Sequence, residues 1–541
     1  MLRLSCGYTS IAKIRNDNVI YVDKTSYVST LAKNRARPVF LSRPRRFGKS
    51  LLVSVFASLF SHGLRDFAGL AIAEDDYWKD EKTYRVVHLD FSSYALKDLR
   101  DWEHELTLDL QCALLGKKRR ELTDAEKSLS PYSALMDYAS DADTGSLVLL
   151  IDEYDAPITH SLDDPGKTKQ VVDFISSFFA TIKSCERIFR FVFITGITRL
   201  AHVSLFSMFN NLLDISVDDD YATLLGITEE ELHGYFDPYV RNAAAVLDMG
   251  KEDLYARLKA TYNGFQFAVN ARETVYNPWS LLSFLAEPGK GLANYWYSTS
   301  GGTPALLVHY LKNADELELF NILRYRASSG KNTDLLIDSD SLLAKSEPDQ
   351  IPMEMLLLQT GYFTLKSVNE DLARLVIPND EIAESLIRLS LDIHNLGPTI
   401  ETRSRIADLA SMLDHGDVES VFRLFNTLLC ECVSANSKAF GDENTIRDII
   451  YSQIPRRRVF KAREVVNSQG MSDLELMTGN TRLVVEFKRI MEPGGEEAAI
   501  RQAFEQMKSR HYGETTEKVK LIRVAMIICT VKRSLTAYRV I

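Results

Sequence analysis

The 541-residue chain lacks the features that would assign it to a membrane, a secretory pathway or a zinc-binding class. It has no apolar run of about eighteen residues, the length from which a transmembrane helix is inferred. The start, MLRLSCGYTSIAKIRND, has no apolar core long enough for a signal peptide. The six cysteines are scattered, and only Cys430 and Cys432 are close, so neither zinc spacing nor a disulfide framework appears. These absences predict a cytoplasmic protein without a membrane partner.

The charge of the chain is unevenly spread. A net charge of −10 argues against a protein coated in nucleic acid. Residues 441–541, however, hold 18 Lys and Arg against 13 Asp and Glu, a charge of +5, which leaves −15 for the rest. Only this C-terminal portion has a balance that tolerates a phosphate backbone. The length suffices for three domains, and no internal repeat or long linker divides the chain.

A Gly-Lys-Ser sequence after a short apolar strand predicts a phosphate-binding loop. The strand covers residues 39–41, and an apolar-periodic helix follows Ser50. In this order the helix N-terminus faces the phosphates, Lys49 reaches the terminal phosphates, and Ser50 can hold Mg²⁺. Arg43 replaces the first glycine of the usual pattern, so a basic turn before a helix is the alternative. The residues predicted to contact the nucleotide are Arg43, Pro44, Arg45, Arg46, Phe47, Gly48, Lys49, Ser50 and Leu51.

A second motif lies about a hundred residues further on, where the apolar run 147–151 ends in Asp152 and Glu153. Such a run predicts a buried parallel strand with carboxylates at its C-terminal edge, where ligands bind in open α/β sheets. Asp152 is placed to hold Mg²⁺, directly or through water, and Glu153 to orient and deprotonate an attacking water. The alternative is a core strand that ends in a solvated acid pair. Together with Lys49 and Ser50, the motif favours binding of ATP with Mg²⁺.

The stretches RPRRFGKS, LLIDEYD and FITGITRL resemble the AAA-ATPase-like family of bacterial and archaeal proteins that often end in a PD-(D/E)XK nuclease-like domain. YVDKTSYV, FSMFNNLLDIS, YNGFQF, VYNPWSLLSFL and LLLQTGYFTL are similar to that family too, so the resemblance covers most of the chain. Arg43 in place of glycine is typical of the family. The resemblance also implies that Asp23 and Lys24 contact the base or ribose, with a surface turn as the alternative.

Two further strands complete the predicted nucleotide-binding domain. The buried strand 85–91 lies in the sequence between the two motifs, which is the additional-strand arrangement of ATPases that use a catalytic glutamate. The strand 189–194 delivers Thr195 and Arg199 to the same edge of the sheet. Thr195 could sense the γ-phosphate, and Arg199 could stabilise charge on the transferring phosphoryl group. A salt bridge from Arg199 to the acidic run 218–220 is the alternative.

The middle of the chain predicts a helical lid and wing. A capping box from Thr228 to Glu231 opens a helical region that runs to about residue 395. Nothing in this region has metal-ligand or nucleophile spacing. Its aromatic triplet, residues 295–297, is expected to be core or partner surface rather than a platform for stacked bases.

The stretch 464–489 predicts a second active centre. Residues 473–476 and 483–488 alternate between polar and apolar, and a turn separates them, so they predict a hairpin. Glu486 and Lys488 are two residues apart and point to one face, and the hairpin register brings Asp473 beside Glu486. Two carboxylates and a lysine are the parts that a Mg²⁺-dependent phosphodiesterase needs. Any amphipathic hairpin can show the same pattern, which is the alternative.

This hairpin resembles the D…E-x-K signature of the PD-(D/E)XK superfamily. The resemblance implies that Glu443, in a helix upstream, joins the metal ligands and that Gln506, in the helix after the hairpin, is a catalytic residue. The family's usual Gly-Arg is here Gly470-Met471, which removes a possible phosphate contact.

The sequence therefore predicts an α/β chain with three domains. Residues 1–224 form a P-loop ATPase domain of the additional-strand, catalytic-glutamate type, residues 225–398 the lid and wing, and residues 399–541 a restriction-endonuclease-like domain. The predicted function is binding and hydrolysis of ATP together with a metal-dependent nuclease domain that is gated by the nucleotide state. The resemblance implies a role in defence against foreign nucleic acid, DNA rather than RNA. A signalling or scaffold ATPase whose nuclease-like domain binds nucleic acid or a protein without cutting is the alternative, and a homo-oligomer is left open.

Overall fold

The computed structural model describes most of the chain. The described residues are 2–34, 37–95, 98–200, 211–271, 273–297, 305–311, 335–343, 351–369, 371–393, 396–433, 439–455, 459–467, 470–514 and 519–540. Among them, no helix combines the length and the apolar character that a bilayer crossing demands.

Five parallel strands form the N-terminal sheet. They are β1 Val39–Ser42, β2 Arg85–Asp90, β3 Leu147–Asp152, β4 Phe189–Gly196 and β5 Leu213–Asp214. Their spatial order is β2-β3-β4-β1-β5, so β4 lies between β1 and β3, whereas β2 lies at the edge. The prediction that the strand 85–91 is the inserted one is therefore wrong: the inserted strand is β4, because the spatial order of parallel strands is not their order along the chain. Every residue of β3 is buried, which accounts for its continuous apolar run. The carboxyl ends of β1, β3 and β4 thus meet at one edge of the sheet.

Nine helices of the described residues accompany this sheet. They are α1 Ile11–Asn16, α2 Thr25–Lys33, α3 Lys49–His62, α4 Asp76–Asp80, α5 Leu99–Leu115, α6 Asp124–Ser128, α7 Pro131–Asp141, α8 Ala156–Thr159 and α9 Pro165–Ser184. Helix α3 buries Leu52, Val55, Phe56 and Leu59, the apolar positions whose helical spacing the sequence shows.

The middle region is helical with one small sheet. Its helices are α10 Glu229–Val246, α11 Lys251–Tyr262, α12 Pro278–Ala286, α13 Ala305–Leu311, α14 Met353–Gln359 and α15 Asp380–Ile393. The predicted capping box is confirmed: the Thr228 hydroxyl accepts from the Glu231 N–H at 3.1 Å, and the Glu231 carboxylate accepts from the Thr228 N–H at 2.8 Å. The strands β6 Leu335–Asp338, β7 Thr364–Val368 and β8 Leu372–Val376 form an antiparallel sheet that the sequence interpretation did not foresee.

The C-terminal region is a five-stranded mixed sheet with helices. The strands are β9 Phe460–Asn467, β10 Gly470–Met477, β11 Thr481–Ile490, β12 Lys520–Cys529 and β13 Ser534–Val540, in the order β13-β12-β11-β10-β9. Only β11 and β12 pair in parallel. The helices are α16 Ile400–Ala407, α17 Leu409–His415, α18 Val418–Cys432, α19 Glu443–Gln453 and α20 Glu496–Ser509. Helix α20 covers one face of the sheet, where Ala503 and Met507 pack on Val484 and Ala525.

One hydrophobic core runs through all three regions. The same contiguous cluster contains Phe40 of β1, Trp296 of the middle region and Leu483 of β11. The three regions are therefore fused at their cores. The boundaries near residues 224 and 398 stay predictions.

Candidate functional sites

Backbone geometry shapes the loop after β1. Gly48 has φ 95° and caps the N-terminus of α3, a left-handed conformation that residues with a side chain adopt rarely. No atom lies within 4 Å of a Cβ built on Gly48, so the backbone angle, not crowding, calls for glycine. A left-handed glycine directly before the helix is also what the Gly-Lys-Ser order of a phosphate-binding loop calls for.

Lys49 lies inside this loop. Its ammonium group donates to the carbonyl oxygens of Arg43 at 2.9 Å and Pro44 at 3.0 Å, and the residue is buried. Burial lowers the pKa of Lys49, while the carboxylates of Glu153 and Asp152 act in the opposite direction. The lysine therefore spans the loop and faces the acidic end of β3.

The two acids at the carboxyl end of β3, Asp152 and Glu153, face Lys49 and Ser50. The Ser50 hydroxyl donates a hydrogen bond to the Asp152 carboxylate, and burial raises the pKa of Asp152. Glu153 has φ 50° and donates its backbone N–H to Asp152 Oδ1 at 3.0 Å. Burial also raises the pKa of Glu153. A carboxylate with a raised pKa is a better proton acceptor, which suits a group that activates water.

A cavity of about 570 Å³ opens beside the loop, within the size range of small-molecule sites. Residues 45–52, Glu153, the N-terminal segment 5–9, residues 224–227 and the Trp279 ring contribute to its wall. The wall combines cationic groups near the loop with apolar and aromatic groups further away. This is the distribution that a nucleotide requires, with phosphates at one end and a base at the other.

Asp23 and Lys24 were both expected to contact the base or ribose, but only Lys24 lines the cavity. Lys24 lines the cavity, but its ammonium group pairs with Glu231 and donates to the Thr223 carbonyl oxygen at 2.7 Å. Asp23 is not part of the wall. Its carboxylate accepts from the Thr25 N–H at 2.9 Å and the Ala71 N–H at 2.7 Å, so it fixes the start of α2.

Residues of the middle region hold the phosphate loop in place. The Arg46 guanidinium donates to the carbonyl oxygens of Tyr295 and Trp296, each at 2.7 Å. Phe47 is buried, and its ring centroid lies 4.9 Å edge-on from that of Phe265. A Cβ on Gly361 would lie 2.8 Å from Pro44 Cβ, so glycine permits this close approach. Most of the side chains in the RPRRFG stretch therefore pack against protein.

Three residues predicted to contact the nucleotide have their side chains occupied elsewhere. Arg43 is buried and donates to the carbonyl oxygens of Ser42 and Ser216. The central carbon of its guanidinium group lies 4.4 Å from the centroid of the Phe267 ring. The Thr195 hydroxyl donates to the Leu41 carbonyl oxygen at 2.8 Å. Arg199 lies 2.9 Å from Asp214, not from the acidic run 218–220 that the alternative named. None of the three lines the cavity.

Asp155 is a site residue that the sequence interpretation missed. Its buried carboxylate accepts from the Ile197 N–H at 3.0 Å and from the N–H and hydroxyl of Thr198 at 2.7 and 2.6 Å. A Cβ on Gly196 would lie 2.6 Å from Asp155 Oδ1. These contacts bind the loop after β4 to the turn after β3. The position of Asp155, three residues after Asp152 in the LLIDEYD stretch, was the sequence signal that could have identified it.

The hairpin of β10 and β11 has the predicted register. Leu474 pairs with Val485, which places Asp473 opposite Glu486. Asp473 Oδ2 accepts the Phe487 N–H at 2.8 Å, and the Lys488 ammonium donates to Glu486 Oε1 at 2.8 Å. Glu486 Oε2 is buried, and no hydrogen bond of the described residues reaches it. An unpartnered buried carboxylate oxygen beside a second carboxylate fits a divalent cation.

The electrostatics of this pair are those of two buried like charges. Burial, followed by the nearby Asp473 carboxylate, raises the pKa of Glu486 to about 7. Burial raises the pKa of Asp473 as well. Burial alone would lower the pKa of Lys488, yet Glu486 raises it. The site is therefore poised to gain from a bound cation, which would neutralise both carboxylates.

Glu443 and Gln506 flank the pair. Glu443 Oε1 accepts the Arg489 N–H at 2.6 Å, and its charge acts on Asp473, Glu486 and Lys488. Gln506 donates to the Tyr512 hydroxyl at 3.2 Å. In the part of the chain that the structure describes, no three His, Cys, Asp or Glu side chains are arranged around one metal position. The carboxylates of this site are hence a pair, with Glu443 held by backbone nearby.

A parallel sheet with Gly-Lys-Ser at its carboxyl edge, fused to a mixed sheet with Asp, Glu and Lys on a hairpin, defines an ATPase-like chain with a nuclease-like domain. Comparison with family models agrees. Residues 5–206 match the family described as predicted AAA-ATPase, and residues 441–537 match the PD-(D/E)XK nuclease superfamily. The two family resemblances inferred from the sequence are thereby confirmed.

Among curated proteins, the chain is similar to an uncharacterized protein in the vnfD 5′ region of Azotobacter chroococcum mcd 1. The two are 29% identical over 524 residues, which cover 95% of this chain and 93% of the relative. The similarity thus extends through the middle region, which neither family model covers.

Proposed function

We propose that the protein binds and hydrolyses ATP at the cavity beside residues 43–51 and cuts nucleic acid at the Asp473–Glu486 pair. The observation that carries the nuclease part is Glu486 Oε2, a buried oxygen without a hydrogen-bond partner among the described residues. Leaving such an atom unsatisfied costs about 1–3 kcal/mol or more, so its retention favours a ligand that the folded protein acquires. A divalent cation, Mg²⁺ in the cell, is the ligand that two carboxylates prefer.

In the ATPase half, each proposed role follows from position. Lys49 and the N–H groups of the loop bind the phosphates, and Ser50 with Asp152 holds Mg²⁺. Glu153 accepts a proton from the attacking water, for which its raised pKa and its place in the cavity wall are suited. The position of β4 between β1 and β3 supports the additional-strand subtype. Thr195 and Arg199 act by fixing the sheet edge.

In the nuclease half, Asp473 and Glu486 would hold the cation, and a cation bound there would supply Lewis-acid stabilisation and lower the pKa of a bound water. Lys488 donates to Glu486, so its positive charge balances the carboxylate pair and would attract a phosphate of the nucleic acid. Gln506 orients the groups around Tyr512. Glu443 keeps β11 in place through the Arg489 N–H and adds negative charge to the site.

Contacts between the regions support control of the nuclease by nucleotide state. The N–H groups of Tyr295 and Trp296, whose carbonyl oxygens accept from Arg46, donate to Glu381 on α15 at 2.7 and 3.0 Å. One helical turn later Glu384 meets Lys461 of β9. A shift of the phosphate loop would therefore act on the helix that holds the edge of the nuclease sheet.

The substrate class follows from chemistry and from resemblance. A metal, a lysine and a locally positive C-terminal region suit a phosphodiester backbone. DNA is the first candidate and defence against foreign nucleic acid the setting that the resemblance favours.

A second candidate is a nucleotide-controlled binding protein whose nuclease-like domain does not cut. Met471 in place of the family's arginine favours it, as does the two-carboxylate rather than three-carboxylate arrangement.

One experiment separates the two candidates. Purified protein is incubated with Mg²⁺ or Mn²⁺, with and without ATP, and offered single- and double-stranded DNA and RNA. Metal-dependent cutting that changes with ATP supports the proposal. Binding without cutting under every condition supports the second candidate, and cutting that ignores ATP refutes the coupling alone.

A further inference from the structure

Two apolar walls enclose part of the cavity beside the phosphate loop. Leu52 and Val55 of α3 form one wall, and they belong to the main hydrophobic core. Ile227, Phe236 and Leu282 form the other wall and belong to a second apolar cluster, most of which lies in the middle region. A flat ring placed between the two walls would be shielded from water on both faces. This part of the cavity therefore suits a planar apolar group rather than a phosphate.

The start of α12 fixes an aromatic ring at the cavity. Asn277 caps the helix: its side chain accepts the Ser280 N–H at 3.0 Å, and its own N–H donates to the Tyr262 carbonyl oxygen at 3.2 Å. Trp279, in the first turn, lines the cavity, and its Cζ3 would lie 3.8 Å from a Cβ on Gly7. The indole N–H is buried, and no hydrogen bond of the described residues reaches it. The ring is thus held in place and carries a donor that a ligand atom would satisfy.

Tyr21 adds a hydroxyl group to the cavity wall. No hydrogen bond of the described residues involves this hydroxyl. Burial, followed by the charge of Asp23, raises the pKa of Tyr21, so the hydroxyl stays protonated at neutral pH. A protonated hydroxyl can donate to a ring nitrogen and accept from an amino group, which are the polar atoms of adenine.

We propose that the base of the nucleotide binds between these two walls, with the Trp279 ring packed against it and the Tyr21 hydroxyl as its hydrogen-bond partner. The inference rests on the proposed function, because it assigns the base of the ATP whose phosphates the loop binds. Trp279 lies outside residues 5–206, which match the ATPase family, so the middle region completes the base-binding half of the site. Both residues contact the base and neither contacts the phosphates. They should therefore affect binding of ATP but not of a bare phosphate chain.

The test compares ATP with inorganic tripolyphosphate, which has the phosphates but no base. Isothermal titration calorimetry with Mg²⁺ gives the affinity of the full-length protein for each. Trp279→Ala should weaken ATP binding about 5- to 150-fold, the range for loss of one aromatic ring from a base. It should leave the affinity for tripolyphosphate unchanged. Trp279→Phe keeps a ring and should recover most of the affinity for ATP.

A second variant tests the hydroxyl group. Tyr21→Phe should weaken ATP binding roughly 2- to 10-fold, as expected for one lost hydrogen bond. The affinities for ATP and 2′-deoxy-ATP should fall equally, because the contact is to the base. The matched control is Tyr138→Phe, at a partly buried tyrosine of α7 that does not line the cavity. A loss confined to ATP would place the hydroxyl at the ribose and overturn its assignment to the base.

Tryptophan emission gives a readout that does not depend on affinity. Of the four tryptophans, all of which the structure describes, only Trp279 lines the cavity. Saturating ATP should change the emission of the unaltered protein, whereas saturating tripolyphosphate should not. The change with ATP should be absent from the Trp279→Phe protein. A change of the same size in that protein would mean that the base does not meet Trp279.

The remaining outcomes separate this inference from the proposed function. If the unaltered protein binds neither ATP nor tripolyphosphate, the proposed ATP site fails and the base assignment fails with it. If both ligands bind and Trp279→Ala leaves the affinity for ATP unchanged, the inference alone is overturned. Equal loss of both ligands would also overturn it. That result would mean that the ring acts on the loop through Arg46, whose guanidinium carbon lies 5.6 Å from the ring centroid.

Discussion

Lys461 and Glu384 form a buried ion pair, with the ammonium nitrogen 3.0 Å from the carboxylate, between strand β9 and helix α15. The lysine side chain is 0% exposed and the glutamate 4%. Arg388 pairs with the other oxygen of Glu384, and the Tyr451 carbonyl oxygen accepts from Lys461. This pair joins the C-terminal sheet to the middle region.

Glu384→Ala should lower stability strongly, because it removes the buried carboxylate that pairs with the ammonium group of Lys461. The expected cost is about 3–5 kcal/mol, the range for breaking a buried pair. Urea unfolding with a probe in the C-terminal region measures it. Glu419→Ala, which breaks the exposed Glu419–Arg423 pair, serves as control and should change stability little. An equally small effect for Glu384→Ala would mean that the pair does not hold the regions together.

Lys49→Met should abolish tight ATP binding. Methionine keeps much of the side-chain volume in the buried loop but removes the charge that contacts the phosphates. Equilibrium binding of a fluorescent ATP analogue gives the loss, and circular dichroism verifies the fold. Lys79→Met, at an exposed lysine, is the control. Undiminished affinity would contradict the assignment of the loop.

Glu153→Gln should bind ATP normally and hydrolyse it roughly 10²–10⁴-fold more slowly, the usual contribution of a general base. The substitution preserves shape at a residue with positive φ. Phosphate release under saturating ATP provides the rate, and Glu74→Gln, at an exposed position of the same region, provides the comparison. Equal turnover in both proteins would assign water activation to another group.

Asp473→Asn should abolish cutting and leave ATP hydrolysis nearly intact. The substitution removes one carboxylate of the pair without changing its size, and the ATP cavity lies on a different sheet. Both activities are measured on the same preparation, alongside Glu505→Gln on α20. If the Asp473→Asn protein still cuts nucleic acid, the nuclease activity belongs to other residues.

The metal-free protein should lose stability as pH rises, through Glu486. Its pKa of about 7 in the folded protein exceeds the ordinary value of 4.5, so its stabilising contribution is present below about pH 4.5 and disappears as pH rises through 7. Added Mg²⁺ or Mn²⁺ should consequently raise the melting temperature more at pH 8 than at pH 6. Glu486→Gln should reduce this pH dependence, and the part that the raised pKa of Asp473 contributes should remain. A metal-induced shift that is the same at both pH values in the unaltered protein would contradict the site.

Local patterns predicted the hairpin well, because alternation and a short turn determine which residues of β10 and β11 face each other. The spatial order of parallel strands does not follow from their order along the chain. The position of β4 between β1 and β3 could therefore be established only from the structure. The direction of the Arg43 side chain and the Lys461–Glu384 pair depend on tertiary packing between distant segments. Asp155 was missed for the same reason, since its partners lie about forty residues away in the loop after β4.

The packing of Pro44 against Gly361 and of Arg46 against residues 295 and 296 bears on how the protein is made. During synthesis the phosphate loop leaves the ribosome long before the segments that support it. At about 5–20 residues per second, roughly 15–60 s separate the synthesis of Gly48 from that of Gly361. The nascent chain therefore passes through a period in which Phe47 lacks its partners, and the loop 43–51 gains its supporting contacts late in translation. A chain that ends within the middle region before Gly361 would lack the close packing of that glycine on Pro44.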